Sequence, residues 1–236
     1  MRVDLQPAYV LHTRPYRDTS MLVDLFTPEH GRVALVAKGV RTGKSRRRAL
    51  LNPFTALLVS FQGRGGLKLL TAVEAQGPSF VLQGAALYCG FYINELLLRL
   101  LAEHDPHPYV YENYQSTLMA LSREQQLEPW LRRFELSVLE ELGYGINLDA
   151  EANEDTPLQA DAWYQFENEL GFTQVPSNVH SAGAQSLFLG RDLLAIAADD
   201  FSHRDTRQAA KRLTRAALQP LLGNRPLKSR ELFRKP

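Results

Sequence analysis

Six cations fall within eleven residues: Lys38, Arg41, Lys44, Arg46, Arg47 and Arg48. Like charges at this spacing repel unless an anion neutralises them, so the chemistry they suit is the holding of phosphates. Gly39 and Gly43 allow close backbone approach, but only three residues separate them ahead of Lys44-Ser45. That is one residue too few for a P-loop, and no nucleotide hydrolysis is expected from it. A second cationic set lies near the C-terminus. Arg204, Arg207, Lys211 and Arg215 recur at three- and four-residue steps along one helical stripe, with Ala210, Leu213, Ala217 and Leu221 on the other face. A basic tail carrying Lys228 and Arg230 follows. The expectation is a DNA-binding surface in which the 38–48 segment and the last helix act together on two strands, lowering their mutual repulsion.

Signs of catalysis are thin. His104 and His107 are the only close pair among the six histidines, and they flank Asp105-Pro106 at a helix end, where a capped loop is expected in preference to a ligand set. The single cysteine, Cys89, falls on an apolar helix face, which excludes a disulfide framework, a cysteine-rich zinc site and a thiol nucleophile. No catalytic residue, metal or cofactor is expected. Aromatic side chains could add base stacking. Phe26, Phe54 and Phe61 read as barrel core, whereas Tyr9, Tyr16 and His12 read as partly exposed. On a third helix, Arg132 and Arg133 stand beside Trp130, Leu131 and Phe134. The pair could hold the carboxylates of an acidic peptide, or form ion pairs with Glu128, Glu135 or Glu140.

The total charge, 27 basic against 26 acidic residues, hides a segregation. Residues 1–80 hold 12 Lys/Arg and 5 Asp/Glu, residues 81–202 hold 5 and 19, and residues 203–236 hold 10 and 2. Basic ends flanking an acidic middle are the footprint of a polyanion binder whose centre is left for protein partners. The longest oily stretch, residues 96–102, is interrupted by Arg99, so no membrane span is expected and the location read from the sequence is cytoplasmic and nucleoid-associated.

The elements that must position these groups change period near residue 80. Strands are expected at 9–14, 21–27, 32–38, 54–61 and 67–74, cut by Pro28-Glu29-His30-Gly31 and Gln62-Gly63-Arg64-Gly65-Gly66. Five short strands suggest a small barrel of the OB type. Helices follow at about 82–103, 109–122 and 129–142, stopped by Gly143 and Gly145, and at 203–222, where Pro220 should kink or end the last. The fold class is therefore α+β: a five-stranded OB-type barrel over 1–80, then a mainly helical domain over 81–236 with an irregular insert near 149–176.

Four motifs, Leu35-Val36-Ala37-Lys38-Gly39-Val40-Arg41, Tyr92-Ile93-Asn94-Glu95-Leu96, Leu131-Arg132-Arg133-Phe134-Glu135-Leu136 with Leu142-Gly143-Tyr144-Gly145, and Pro226-Leu227-Lys228-Ser229-Arg230-Glu231-Leu232-Phe233, occur in the order in which they occur in the RecO family of bacterial DNA repair proteins, which the chain resembles from about residue 9 onward. The resemblance implies an OB domain, a helical domain and no catalytic centre. It also implies binding of single- and double-stranded DNA, annealing of complementary strands, engagement of the C-terminal tail of the single-stranded-DNA-binding protein, and action with RecR to load RecA. It assigns Lys38 and Arg41 to DNA and Arg132 and Arg133 to the acidic tail. Many members carry a four-cysteine zinc site after the third helix; this chain lacks those cysteines, so 149–176 must fold without metal. Two other readings of the residues stay open, an RNA- or ribosome-associated OB protein and a nuclease whose carboxylates converge only in the fold.

Overall fold

The computed structural model describes residues 2–42, 45–77, 79–153, 156–176 and 186–233, so Lys44 lies outside the described residues and of Arg46 only the backbone is described. The chain forms two compact units, Met1–Gln125 with Pro226–Pro236, and Gln126–Arg225. The change from strand to helix does fall near residue 80, but the two helices after it belong to the first unit.

In the first unit, β1 (Arg2–Tyr16), β2 (Ser20–Thr27), β3 (Gly31–Ala37), β4 (Leu57–Gln62) and β5 (Lys68–Ala75) close a barrel in the order β1-β2-β3-β5-β4. All neighbours are antiparallel except β3 and β5, which run parallel through Leu35↔Lys68 and Val36↔Leu69. This is the Greek-key closure of the OB type. A short helix, α1 (Arg46–Leu50), connects β3 to β4. Period-two alternation builds the interior: Val33, Leu35 and Ala37 of β3 meet Val23, Leu25, Leu57, Val59 and Phe61 inside.

The sequence expectation began the first strand at residue 9, seven residues late, because Asp4, Gln6 and Pro7 are poor strand formers. Closure overrides propensity here. The first half of β1 pairs with β4 and the second half with β2, and two register shifts, between Val3 and Gln6 and between Val10 and His12, bend the strand from one neighbour to the other. The fourth strand starts at Leu57 instead of 54. Phe54 sits before it at φ 66°, buried beside the Phe91 ring at 5.5 Å.

Helices α2 (Gly84–Leu100) and α3 (Pro108–Arg123) pack on the outside of β1 and β2. Their cover corrects two aromatic assignments. Tyr9, expected to be partly exposed, is 1% exposed, and Phe26 is buried outside the barrel core; both rings lie against Tyr111 and Tyr114 at 5.2–6.2 Å. Burial pushes the Tyr9 hydroxyl up to about 12 and the Tyr111 and Tyr114 hydroxyls higher, so all three stay neutral. Asn94 on α2 meets the irregularity in β1. Its Nδ2 donates to the carbonyls of Val10 (3.2 Å) and Leu11 (3.0 Å), while Tyr114 Oη donates to Asn94 Oδ1 at 2.6 Å. A bulge leaves carbonyls without ladder partners, and a buried amide satisfies them.

The second unit holds α4 (Glu128–Glu141), a three-stranded sheet of β6 (Trp163–Glu167), β7 (Gly171–Val175) and β8 (Leu187–Leu189) in the order β7-β6-β8, then α5 (Gly190–Ala197) and α6 (Arg204–Leu222). Part of the insert expected to be irregular is ordered, as an antiparallel β6–β7 hairpin. β8 and α5 were not anticipated. Phe166, Phe172 and Phe188 pack ring to ring at 5.1–6.4 Å, giving the insert an apolar centre. Pro220 does not end α6, which runs two residues further and stops at Gly223. Lastly α7 (Ser229–Leu232) returns to the first unit, against α2. No helix among the described residues is long and apolar enough to cross a membrane.

Candidate nucleic-acid interface

β3 ends with Ala37 pointing into the barrel, and Val40, 1% exposed, plugs into the same core. Alternation about these two seats turns Lys38 and Arg41 outward. Gly39, at φ +71°, makes the reversal, and Thr42 Oγ1 donates to its carbonyl at 2.8 Å. The segment that follows is not the open basic loop that its charge suggests. Leu50 and Leu51 bind it to the barrel core, and the intervening turn folds as α1, with Arg47 and Arg48 exposed on it. Two or three apolar anchors thus fix a cationic stretch in place. Among the described residues Lys38, Arg41, Arg47 and Arg48 make no ion pair, so their charge is available to an external anion.

Arg41 has a second role. Its backbone N–H donates to the Thr19 carbonyl and its Nη1 to the Arg17 carbonyl, both at 2.9 Å. The β3–α1 turn is therefore tied to the β1–β2 turn, and Arg17, exposed there, joins the same barrel end. Sequence reading missed Arg17. The available signal was the pairing of two turns across one hairpin register, Met21↔Ala37, which places both at one end of the barrel.

The other expected cations are placed differently. On α6, Arg207 Nη1 donates to the carbonyls of Phe201 and Ser202, each at 2.7 Å, and Lys211 Nζ bonds Glu128 Oε1 at 3.3 Å; Arg215 is exposed. Much of this stripe therefore braces its own unit, which is separate from the barrel unit. Lys228 and Arg230 return to the barrel unit. Glu95 on α2 accepts from the backbone N–H groups of Lys228 (2.9 Å) and Ser229 (2.8 Å) and from Ser229 Oγ (2.6 Å), which seats the tail and leaves Lys228 exposed. Arg230 lies over the Tyr92 ring at 6.0 Å.

On α4 the two arginines separate in role. Arg132 is 5% exposed, its Nη2 donates to Glu135 Oε1 at 2.8 Å and its Nη1 to Thr214 Oγ1 at 3.3 Å. This is the ion-pair alternative raised by the i, i+3 spacing. Arg133 is half-buried, with its guanidinium 4.6 Å from the Trp130 ring and 5.4 Å from the Phe201 ring, and Nε bonds Asp199 Oδ1 at 2.7 Å.

The chain is matched by the family model for the N-terminal region of Recombination protein O over residues 1–78 and by that for its C-terminal region over residues 82–231. It is 52% identical to DNA repair protein RecO of Cellvibrio japonicus, covering 99% of this chain and 98% of that one. It is 46% identical to the protein of the same name from Haemophilus influenzae strain Rd, covering 99% and 97%, and 44% identical to that of Tolumonas auensis, covering 98% and 95%. Matched end to end by these relatives and by both domain models, the chain belongs to the RecO family of DNA repair and recombination proteins.

Proposed function

We propose that this protein is a recombination mediator that acts without catalysis: it binds single- and double-stranded DNA, anneals complementary strands coated with the single-stranded-DNA-binding protein, and works with RecR to load RecA. The observation that carries this reading is the cationic rim at one barrel end, formed by Lys38, Arg41, Arg47 and Arg48, which make no ion pair among the described residues. Cations whose backbone is already seated by Val40, Leu50 and Leu51 neutralise phosphates at a lower ordering cost. Two strands neutralised together repel less, so their bases can pair. Lys228 and Arg230 add charge to the same unit. The acidic, aromatic-ended tail of the coat protein fits the Arg133 site, where a guanidinium stands between two aromatic rings, with Arg132 as a positioning residue behind it.

Annealing of coated complementary oligonucleotides tests this, comparing wild type with a Lys38→Ala/Arg41→Ala double variant and a tailless coat protein. Wild type should anneal, the double variant should fail, and removing the tail should abolish coupling. Each lost phosphate contact should also lower the slope of log affinity against log salt by about 0.7 on single strands and about 0.9 on duplex. An affinity indifferent to salt refutes the electrostatic mechanism. Failure to anneal DNA together with tight RNA binding would move the assignment to RNA.

A further inference from the structure

We infer that Tyr16 and Arg17, in the turn between β1 and β2, form a stacking site that selects single-stranded over double-stranded nucleic acid. The inference rests on the reading that this barrel end binds nucleic acid, and it assigns the strand preference to two residues. Tyr16 closes β1 opposite Ser20, and Arg17 follows it as the first turn residue. The Arg17 guanidinium lies over the Tyr16 ring, 5.2 Å from its centroid. Arg17 is exposed and Tyr16 half-exposed. A phenol ring capped by a planar guanidinium is a two-layer surface on which a base can stack, while the cation reaches the adjoining phosphate.

The backbone says that the arrangement is held and not incidental. Arg17 sits at φ +52°, in the left-handed region where glycine or asparagine rests easily and a long side chain is strained. Strained residues persist where surrounding contacts over-determine them, and they gather at ligand sites. Here the determining contact is named: Arg41 Nη1 holds the Arg17 carbonyl at 2.9 Å, and the Arg41 backbone N–H holds Thr19. A residue of the phosphate-binding rim therefore fixes the conformation of the stacking turn. Arg14, exposed on β1, adds charge nearby, and Asp18 in the turn itself subtracts some. Stacking requires a base whose face is open. A duplex hides those faces within its own stack, so Tyr16 should contribute to single strands only, whereas Arg17 contacts phosphates of either form.

The test is fluorescence anisotropy of the full chain with a labelled oligothymidylate and with a duplex of equal length, at two salt concentrations. The variants are Tyr16→Ala, Tyr16→Leu, Arg17→Gly and Lys38→Ala. Tyr16→Ala should weaken single-strand binding roughly tenfold, as loss of one base stack does, with duplex binding changed less than about twofold. Tyr16→Leu keeps apolar bulk without a π face, so it separates stacking from packing and should behave as Tyr16→Ala does. Arg17→Gly relaxes the backbone while removing the cation, and should weaken both forms with a shallower salt slope. Tyr16 variants that bind single strands as wild type does, or that lose both forms equally, overturn the inference. If Lys38→Ala also leaves both affinities unchanged, the barrel-rim reading itself fails; if Lys38→Ala weakens both and the Tyr16 variants weaken neither, only the stacking site is refuted.

Discussion

Truncating Arg132 to alanine should destabilise the second unit, an effect that must be separated from any loss of a bound peptide. Arg132 and Glu135 are 5% and 0% exposed, and a 2.8 Å charged hydrogen bond joins them. Removing the guanidinium leaves the Glu135 carboxylate enclosed without that cation and the Thr214 hydroxyl without its donor. Breaking one side of such a buried pair costs about 3–5 kcal/mol, a large share of the roughly 5–15 kcal/mol that holds a domain folded. With a urea dependence of about 2–3 kcal/mol per molar, the unfolding midpoint should fall by roughly 1–2.5 M. Both tryptophans, Trp130 and Trp163, lie in this unit, so tryptophan emission excited beyond the tyrosine absorption band follows its unfolding. The control is Arg132→Met/Glu135→Leu, which removes both charges and keeps volume; it should recover most of the loss, since a buried pair replaced by apolar side chains is often neutral. An Arg132→Ala midpoint equal to wild type would refute the argument, and loss of tail-peptide affinity at that unchanged midpoint would make Arg132 a direct contact. Arg133→Ala should lose the peptide with a midpoint lowered far less than that of Arg132→Ala, because its pair with Asp199 is solvent-exposed and only its contacts with the Trp130 and Phe201 rings are lost besides.

Three further perturbations test the first unit. Asn94→Ala removes the donor to the Val10 and Leu11 carbonyls and the acceptor of the Tyr114 hydroxyl bond, and should cost about 2–3 kcal/mol in denaturant unfolding followed by circular dichroism. Gly31→Ala should be at least as damaging, because φ is +60° and the new Cβ would lie 1.9 Å from the Asp105 carbonyl oxygen; the thermal midpoint checks it. Burial pushes the Glu95 carboxyl up, but hydrogen bonds from Ser229 and Lys228 and the charge of Arg99 outweigh it and leave its pKa below the ordinary value of 4.5. A depressed folded pKa means that the stabilisation is present above that ordinary value and is lost as pH falls through the folded one. Glu95→Gln should therefore be less stable than wild type at neutral pH, with the gap closing as acid is added, and tryptic cleavage after Lys228 should quicken; a pH-independent gap would refute the linkage.

What the sequence discloses, and what it withholds, follows from the range of the interactions. Turn residues and two-residue alternation mark β2, β3 and β5 to within about two residues, because those signals are local. The first half of β1 is invisible to them, since residues 2–8 become strand only when β4 lies alongside. Tyr9 and Phe26 look like surface and core respectively until α3 covers the outer face of the hairpin, which places both in one outer aromatic layer.

The same distinction governs the charge. Counting cations finds Lys38, Arg41, Arg47 and Arg48, whose side chains keep their charge for solvent because the apolar residues that anchor them are Val40, Leu50 and Leu51. Counting equally finds Arg207, Lys211 and Arg132, yet these are turned to carbonyls and carboxylates of their own unit. It overlooks Arg17, a single cation in a short turn, because its place beside Arg41 is set by hairpin register and by one guanidinium–carbonyl bond across 24 residues. A basic residue becomes a binding residue when packing supplies its position and leaves its charge unspent. Charge density in sequence measures neither condition, which is why the Arg17 turn ranks above the α6 stripe for mutagenesis.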